Sequence, residues 1–172
     1  MKTLTALAAP VLLGLSILAG TLSTTATAQE YTEGAITIDR PWSRPTPPGV
    51  PMGVGYMAIT NNGDSGVTLI SATTPRAKSV SIHESAMKDG TMSMRPLKKG
   101  LPIPAGQTVE LKPHGYHLML EKLDGPLKEG ESIPLTLSFE GAADMDVILD
   151  VEPLDGGTQR KEKDMDHSVT KD

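Results

Sequence analysis

Cysteine is absent from this chain of 172 residues. Without it there is no disulfide to brace the fold and no thiolate to offer a metal. A basic surface is missing too: 16 Lys and Arg stand against 21 Asp and Glu, a net charge of -5, and a nucleic-acid partner needs phosphate neutralisation that such a balance does not supply. No Ser-His-Asp order, no paired carboxylates in an apolar setting and no glycine-rich phosphate loop can be pointed to, so the chain is not expected to be an enzyme. No window shows a helical apolar stripe longer than about two turns. Beyond the first 28 residues no segment approaches eighteen apolar residues in a row, so no stable membrane insertion is expected.

The first 28 residues read as a secretory signal peptide. Lys2 gives the positive start, Ala6 to Gly20 the apolar run, and Ala26-Thr27-Ala28 the small-residue cleavage site. Cleavage there leaves 144 residues (172 minus 28) and, with Lys2 gone, a net charge of -6 (15 minus 21). That length suits one domain with a sizeable core. The domain is expected over residues 29–153, followed by a polar, disordered tail over 154–172.

Within the domain the pattern is one of short strands cut by glycine and proline. Residues 29 to 34 read as a frayed lead-in. About nine strands follow: one ending near Trp42, then Val54 to Thr60, Val67 to Ala72, Ser79 to Met87, Thr91 to Arg95, Val109 to Leu111, 116 to 122, and the two half-buried runs Ile133 to Phe139 and Val147 to Val151. Lys98 to Gly106 reads as a loop. The implied architecture is all-β, a Greek-key β-sandwich or barrel.

Chemistry-bearing residues gather between His83 and Met119. Three of the four histidines, His83, His114 and His117, lie there with Met87, Met92, Met94 and Met119. Strand alternation sends Tyr116, Leu118 and Leu120 to one face and His117 and Met119 to the other. Asp89-Gly90 is a two-residue hairpin signal, so residues whose numbers sum to 179 should pair: Met87 with Met92, Ser85 with Met94, and His83 diagonal to Met94. Met52, Met57 and Met145 read as core filler, and Trp42, the lone indole, as a core or loop-anchoring aromatic. Thioethers favour Cu(I), and imidazole serves either copper state. Zinc would be matched with Cys, His or carboxylate, and calcium with oxygen ligands. A blue-copper electron carrier needs a thiolate, which the chain lacks.

His83, ten intervening residues, Met94, then His117-x-Met119 resembles the H-x10-M-x21-H-x-M signature of the periplasmic copper chaperones called PCu(A)C. The likeness extends to Met92-Ser93-Met94-Arg95-Pro96, Ile103-Pro104-Ala105-Gly106 and Leu111 to Met119, and covers roughly Ala35 to Val151. The second interval here is 22 residues (95 to 116), one more than the family pattern, most simply an insertion in the loop Lys98 to Pro102. The resemblance implies a cupredoxin-like fold and a Cu(I) site made by His83, Met94, His117 and Met119. Met87 and Met92 read as its rim, and His114, unusual in a turn where the family often has Gly, as a fifth ligand, an entry-side ligand or a solvated turn residue. It further implies delivery of copper to haem-copper oxidase, beside a Sco-type thiol protein, in the periplasm. Met165 and His167 in the tail are similar to a second, Cu(II)-binding element of some relatives. The rival readings are a metal-free β-sandwich interaction module and a copper sequestration or tolerance protein.

Overall fold

The computed structural model describes residues 29–154; the expected signal peptide and all but the first residue of the expected tail lie outside that range. Among the described residues there are eleven strands: β1 (Glu30–Glu33), β2 (Ile36–Ser43), β3 (Met52–Asn61), β4 (Val67–Thr73), β5 (Ala77–Lys88), β6 (Thr91–Pro96), β7 (Leu101–Ile103), β8 (Thr108–Leu111), β9 (Tyr116–Leu123), β10 (Ser132–Glu140) and β11 (Met145–Val151). Neighbouring strands run β5-β9-β3-β2-β11-β10-β4, and the Ala72↔Val80 pair returns β4 to β5. The sheet therefore closes into a barrel, and closure removes the open edges that an all-β domain must otherwise protect. β6 hangs from β5, β7 from β4 and β1 from β2, while β8 lies between β3 and the start of β9. All pairings are antiparallel except β2–β11 and β8–β9.

Alternation fills the interior. Ile36, Ile38, Ile59, Leu69, Leu118, Leu120, Ile133, Leu135, Leu137 and Leu149 are each at most 1% exposed. At about 1.5–3 kcal/mol per buried aliphatic side chain, this packing is the main stabilising contribution. Gly53 and Gly55 sit on the inner side of β3 opposite Leu120 and Leu118. A Cβ at Gly53 would stand 2.9 Å from the Leu127 side chain, so glycine there leaves room for Leu127 over the core.

Two expectations fail here. Residues 29 to 34 are not a frayed lead-in: Glu30 to Glu33 pair with Asp39 to Ile36, and the Ile148 amide donates to the Tyr31 hydroxyl at 3.1 Å. The strand shows no apolar alternation because it is an edge, held by backbone bonds. Lys98 to Gly106 is not wholly loop. Leu101 and Ile103 are buried on either side of exposed Pro102, and a proline is tolerated because β7 pairs with β4 alone.

A bulge in β2 places the single tryptophan. Asp39 pairs with Ala58 but Trp42 with Tyr56, so β2 carries one extra residue, and Arg40 takes the left-handed conformation at φ 47. Simple alternation from Ile36 and Ile38 would have turned Trp42 inward. The bulge turns it outward onto Tyr56, ring centroids 4.7 Å apart, with the Arg44 guanidinium 5.5 Å above the indole.

Candidate metal centre

The hairpin between β5 and β6 turns at Asp89-Gly90, with φ of 51 and 77, the left-handed pair that a two-residue turn of this hand requires. The register is the one that the turn predicts: His83↔Pro96, Ser85↔Met94 and Met87↔Met92. On its other side β5 pairs with β9, and there His83 faces His117 while Ser81 faces Met119. Directly paired residues share a face. One outer face of three adjacent strands thus carries His83 beside His117, with Met119 one step along β9 and Met94 one step along β6 in the opposite direction. Ile82, Leu118 and Leu120, the residues between, are buried in the core.

The four donors differ in exposure. His117 is 4% exposed and Met94 52%; His83 and Met119 are half-buried. Both histidines leave the aliphatic interior as expected, yet His117 is not a surface residue. Val54 of β3 pairs with Met119, and Tyr56 continues the same face of β3.

Hydrogen bonding selects the nitrogens. His117 Nδ1 lies 3.1 Å from the Gly115 carbonyl; a carbonyl only accepts, so Nδ1 carries the proton and Nε2 keeps the lone pair. His83 Nε2 lies 3.0 Å from the Ser81 hydroxyl, whereas its Nδ1 is buried with no protein hydrogen-bond partner. Such an orphan costs about 1–3 kcal/mol, a cost that a bound metal would offset. The His83 pKa is lowered, chiefly by burial, then by neighbouring His117, with Glu121 pulling the other way. The ring is therefore kept in the neutral, ligating form at neutral pH. The ring centroids stand 5.8 Å apart. Among the described residues no group of three His, Cys, Asp or Glu side chains comes together; the side chains that share the face of the histidine pair include the thioethers of Met94 and Met119. Two imidazoles and two thioethers are a donor set for copper, and for Cu(I) above all.

Met87 and Met92 face each other near the hairpin tip, 64% and 44% exposed, one step beyond Ser85 and Met94. His114 holds a left-handed turn at φ 64. It lines an open groove of about 780 Å³ with Trp42, Arg44 and Lys112, and that lining includes none of the four donors. Met165 and His167 lie outside the described residues. Met57 and Met145 are buried as expected, but Met52 is 50% exposed. It pairs with Glu121, which puts it on the donor face; Pro51 before it and Gly53 and Gly55 after it gave no alternation to read. Sequence reasoning also passed over Ser81 and Glu121, polar residues on a polar face that only the register singles out.

These features define a closed, all-β, cupredoxin-like domain with nitrogen and sulfur donors on one outer face. The chain belongs to the LpqE-like family ("Putative lipoprotein LpqE-like"), whose model matches residues 36–151. A relative from Leifsonia xyli subsp. xyli, "Putative lipoprotein Lxx21020", is 30% identical over 151 residues, 88% of this chain and 90% of that protein. Among solved structures, the copper-bound PCuAC domain from PmoF2 is 26% identical with a TM-score of 0.62, covering 73% of this chain and 98% of that one. The Cu(I) form of the Deinococcus radiodurans protein DR1885 is 29% identical with a TM-score of 0.53, covering 78% of this chain and 88% of that one.

Proposed function

We propose that this chain is a copper chaperone of the periplasm that holds Cu(I) between His83, His117, Met94 and Met119. It hands the ion to the copper centre of a haem-copper oxidase, directly or through a Sco-type thiol protein. The observation that carries the reading is the direct pairing of His83 with His117, with His83 Nδ1 buried and unpartnered and His117 Nδ1 held by the Gly115 carbonyl, on a face that also bears Met119 and Met94. Copper in two structural neighbours supports the choice of ion. The relatives' names support export.

Transfer follows from the exposure gradient. Met94 is the most open donor, on a strand whose six residues are all exposed, so an acceptor reaches the ion from that side. A thiolate displaces the neutral thioether there first, because it is the stronger Cu(I) donor. The buried imidazole lets go last. The protein binds and passes on its cargo and performs no other chemistry. Titration of Cu(I) against a chromophoric chelator tests this: the wild type competes, and His83→Ala and Met119→Ala compete far less. Absence of competition by the wild type would favour the metal-free interaction module, with exposed Met87, Met92 and Met94 as its contact surface.

A further inference from the structure

We infer that Ser81 and Glu121 are positioning residues that fix the tautomer of His83, so that Nδ1 is the nitrogen this ring offers to a metal. The identity of that metal rests on the copper reading above; the tautomer does not. The four side chains form a line on one face of β5 and β9. Ser79 donates to Glu121 Oε2 at 3.1 Å, Ser81 donates to Glu121 Oε1 at 2.8 Å, and the same Ser81 oxygen lies 3.0 Å from His83 Nε2.

Counting protons settles the direction. The Glu121 carboxyl accepts from Ser79 at one oxygen and from Ser81 at the other, and at about pH 8 an ordinary glutamate is a carboxylate that can only accept. Ser81 has a single hydroxyl proton and gives it to Glu121. Toward His83 it has only lone pairs, and the contact at Nε2 is a hydrogen bond only if Nε2 carries the hydrogen. A neutral imidazole has one such hydrogen, so Nδ1 is bare. This is the atom that is buried without a partner. His117 has the opposite arrangement, with its Nδ1 hydrogen given to Gly115. The facing rings therefore offer different nitrogens, Nδ1 from β5 and Nε2 from β9. Outer hydrogen bonds of this kind orient metal-bound histidines in general. Here the carboxylate acts through an intervening hydroxyl, and register supplies both: Ser79 pairs with Glu121, and Ser81 precedes His83 by two on the same strand.

The test is long-range proton–nitrogen correlation NMR on the metal-free, nitrogen-15-labelled protein at about pH 8, where an ordinary imidazole is neutral. His83, assigned by its loss in His83→Gln, should show a protonated Nε2 and a bare Nδ1, and His117 the reverse. Glu121→Ala frees the Ser81 proton to be donated to Nε2, and His83 should shift toward the Nδ1-protonated form. Ser81→Ala should give a mixture, and Ser81→Thr should restore the wild-type pattern. His117 stays unchanged throughout and reports that each variant is folded. Cu(I) affinity should fall about 10- to 100-fold in Ser81→Ala and Glu121→Ala and recover in Ser81→Thr. An Nδ1-protonated His83 in the wild type, a tautomer indifferent to Glu121→Ala, or unchanged Cu(I) affinity in the two alanine variants overturns the inference. If the tautomers respond as stated but the wild type binds no Cu(I), the relay stands and the copper reading falls.

Discussion

The two halves of the donor face are built differently. The imidazoles sit where β5 and β9 pair within the closed barrel, backed by Ile82, Leu118 and Leu120, with His117 nearly sealed from solvent. The exposed thioethers of Met87, Met92 and Met94 sit on the β5–β6 hairpin beyond the barrel, where β6 pairs with β5 alone. The core fixes the nitrogen half, and a turn fixes most of the sulfur half. Under the proposed reading that division serves both holding and release: the more buried nitrogens hold, and an exposed sulfur lets a partner in. Met119 belongs to the first half, since it pairs with Ser81 and Val54 inside the ladder.

Several substitutions break or sharpen this contrast. His117→Ala should weaken Cu(I) binding by more than about 100-fold, beyond what loss of an outer-shell partner causes; a smaller loss, read by chelator competition, would place the strength elsewhere. Met94→Ala should cost only roughly tenfold in affinity, about 1.4 kcal/mol, and should slow transfer to a thiol acceptor more than it weakens binding. If Met94→Ala proved the costlier of the two, the division would be reversed.

Acid should act through the nitrogens alone. Cu(I) affinity should fall as pH drops through about 6.5, where free imidazole takes a proton, while the thioether contribution stays flat. The folded protein lowers the His83 pKa, so that ring resists protonation below the ordinary value. By linkage the unfolded chain takes up the proton first, and the stability present above about 6.5 is lost as pH falls through the folded value. An affinity that is level from about pH 8 to about pH 5 would remove both histidines from the site.

Gly90→Ala strains a residue at φ 77, which costs about 1 kcal/mol. It should weaken copper binding by no more than about fivefold, because only the hairpin feels it. The smallest effect on copper is expected from the far end of β5. There Arg76 donates to Glu131 at 2.6 Å and pairs with Asp124. The Glu131 pKa is lowered, first by the Arg76 hydrogen bond, so its stabilisation is present above the ordinary carboxylate range and is lost as pH falls through the folded value. Glu131→Gln should lower thermal stability by about 1 kcal/mol and flatten acid unfolding, with no change in Cu(I) affinity.

Much of this fold could be read from the chain because turns and alternation are local. Asp89-Gly90 dictates a left-handed two-residue turn, and that turn alone fixes which methionine faces which residue across the hairpin. Ile133 to Phe139 and Val147 to Val151 state their buried faces by alternation. The polar strand β1 gave no such signal, β7 was hidden by its proline, and Met52 was misassigned because its neighbours are a proline and a glycine.

The chain by itself determined that the domain is all-β, that no thiolate is available, and that imidazole and thioether donors leave the aliphatic face, since each follows from composition or a period of two. Only the tertiary structure decided that His83 stands against His117, that Glu121 reaches Ser81, and that Trp42 turns outward onto Tyr56. Those contacts depend on the pairing of strands distant in sequence and on a bulge at Arg40, and no local pattern of residues encodes a register between segments that meet only when the barrel closes.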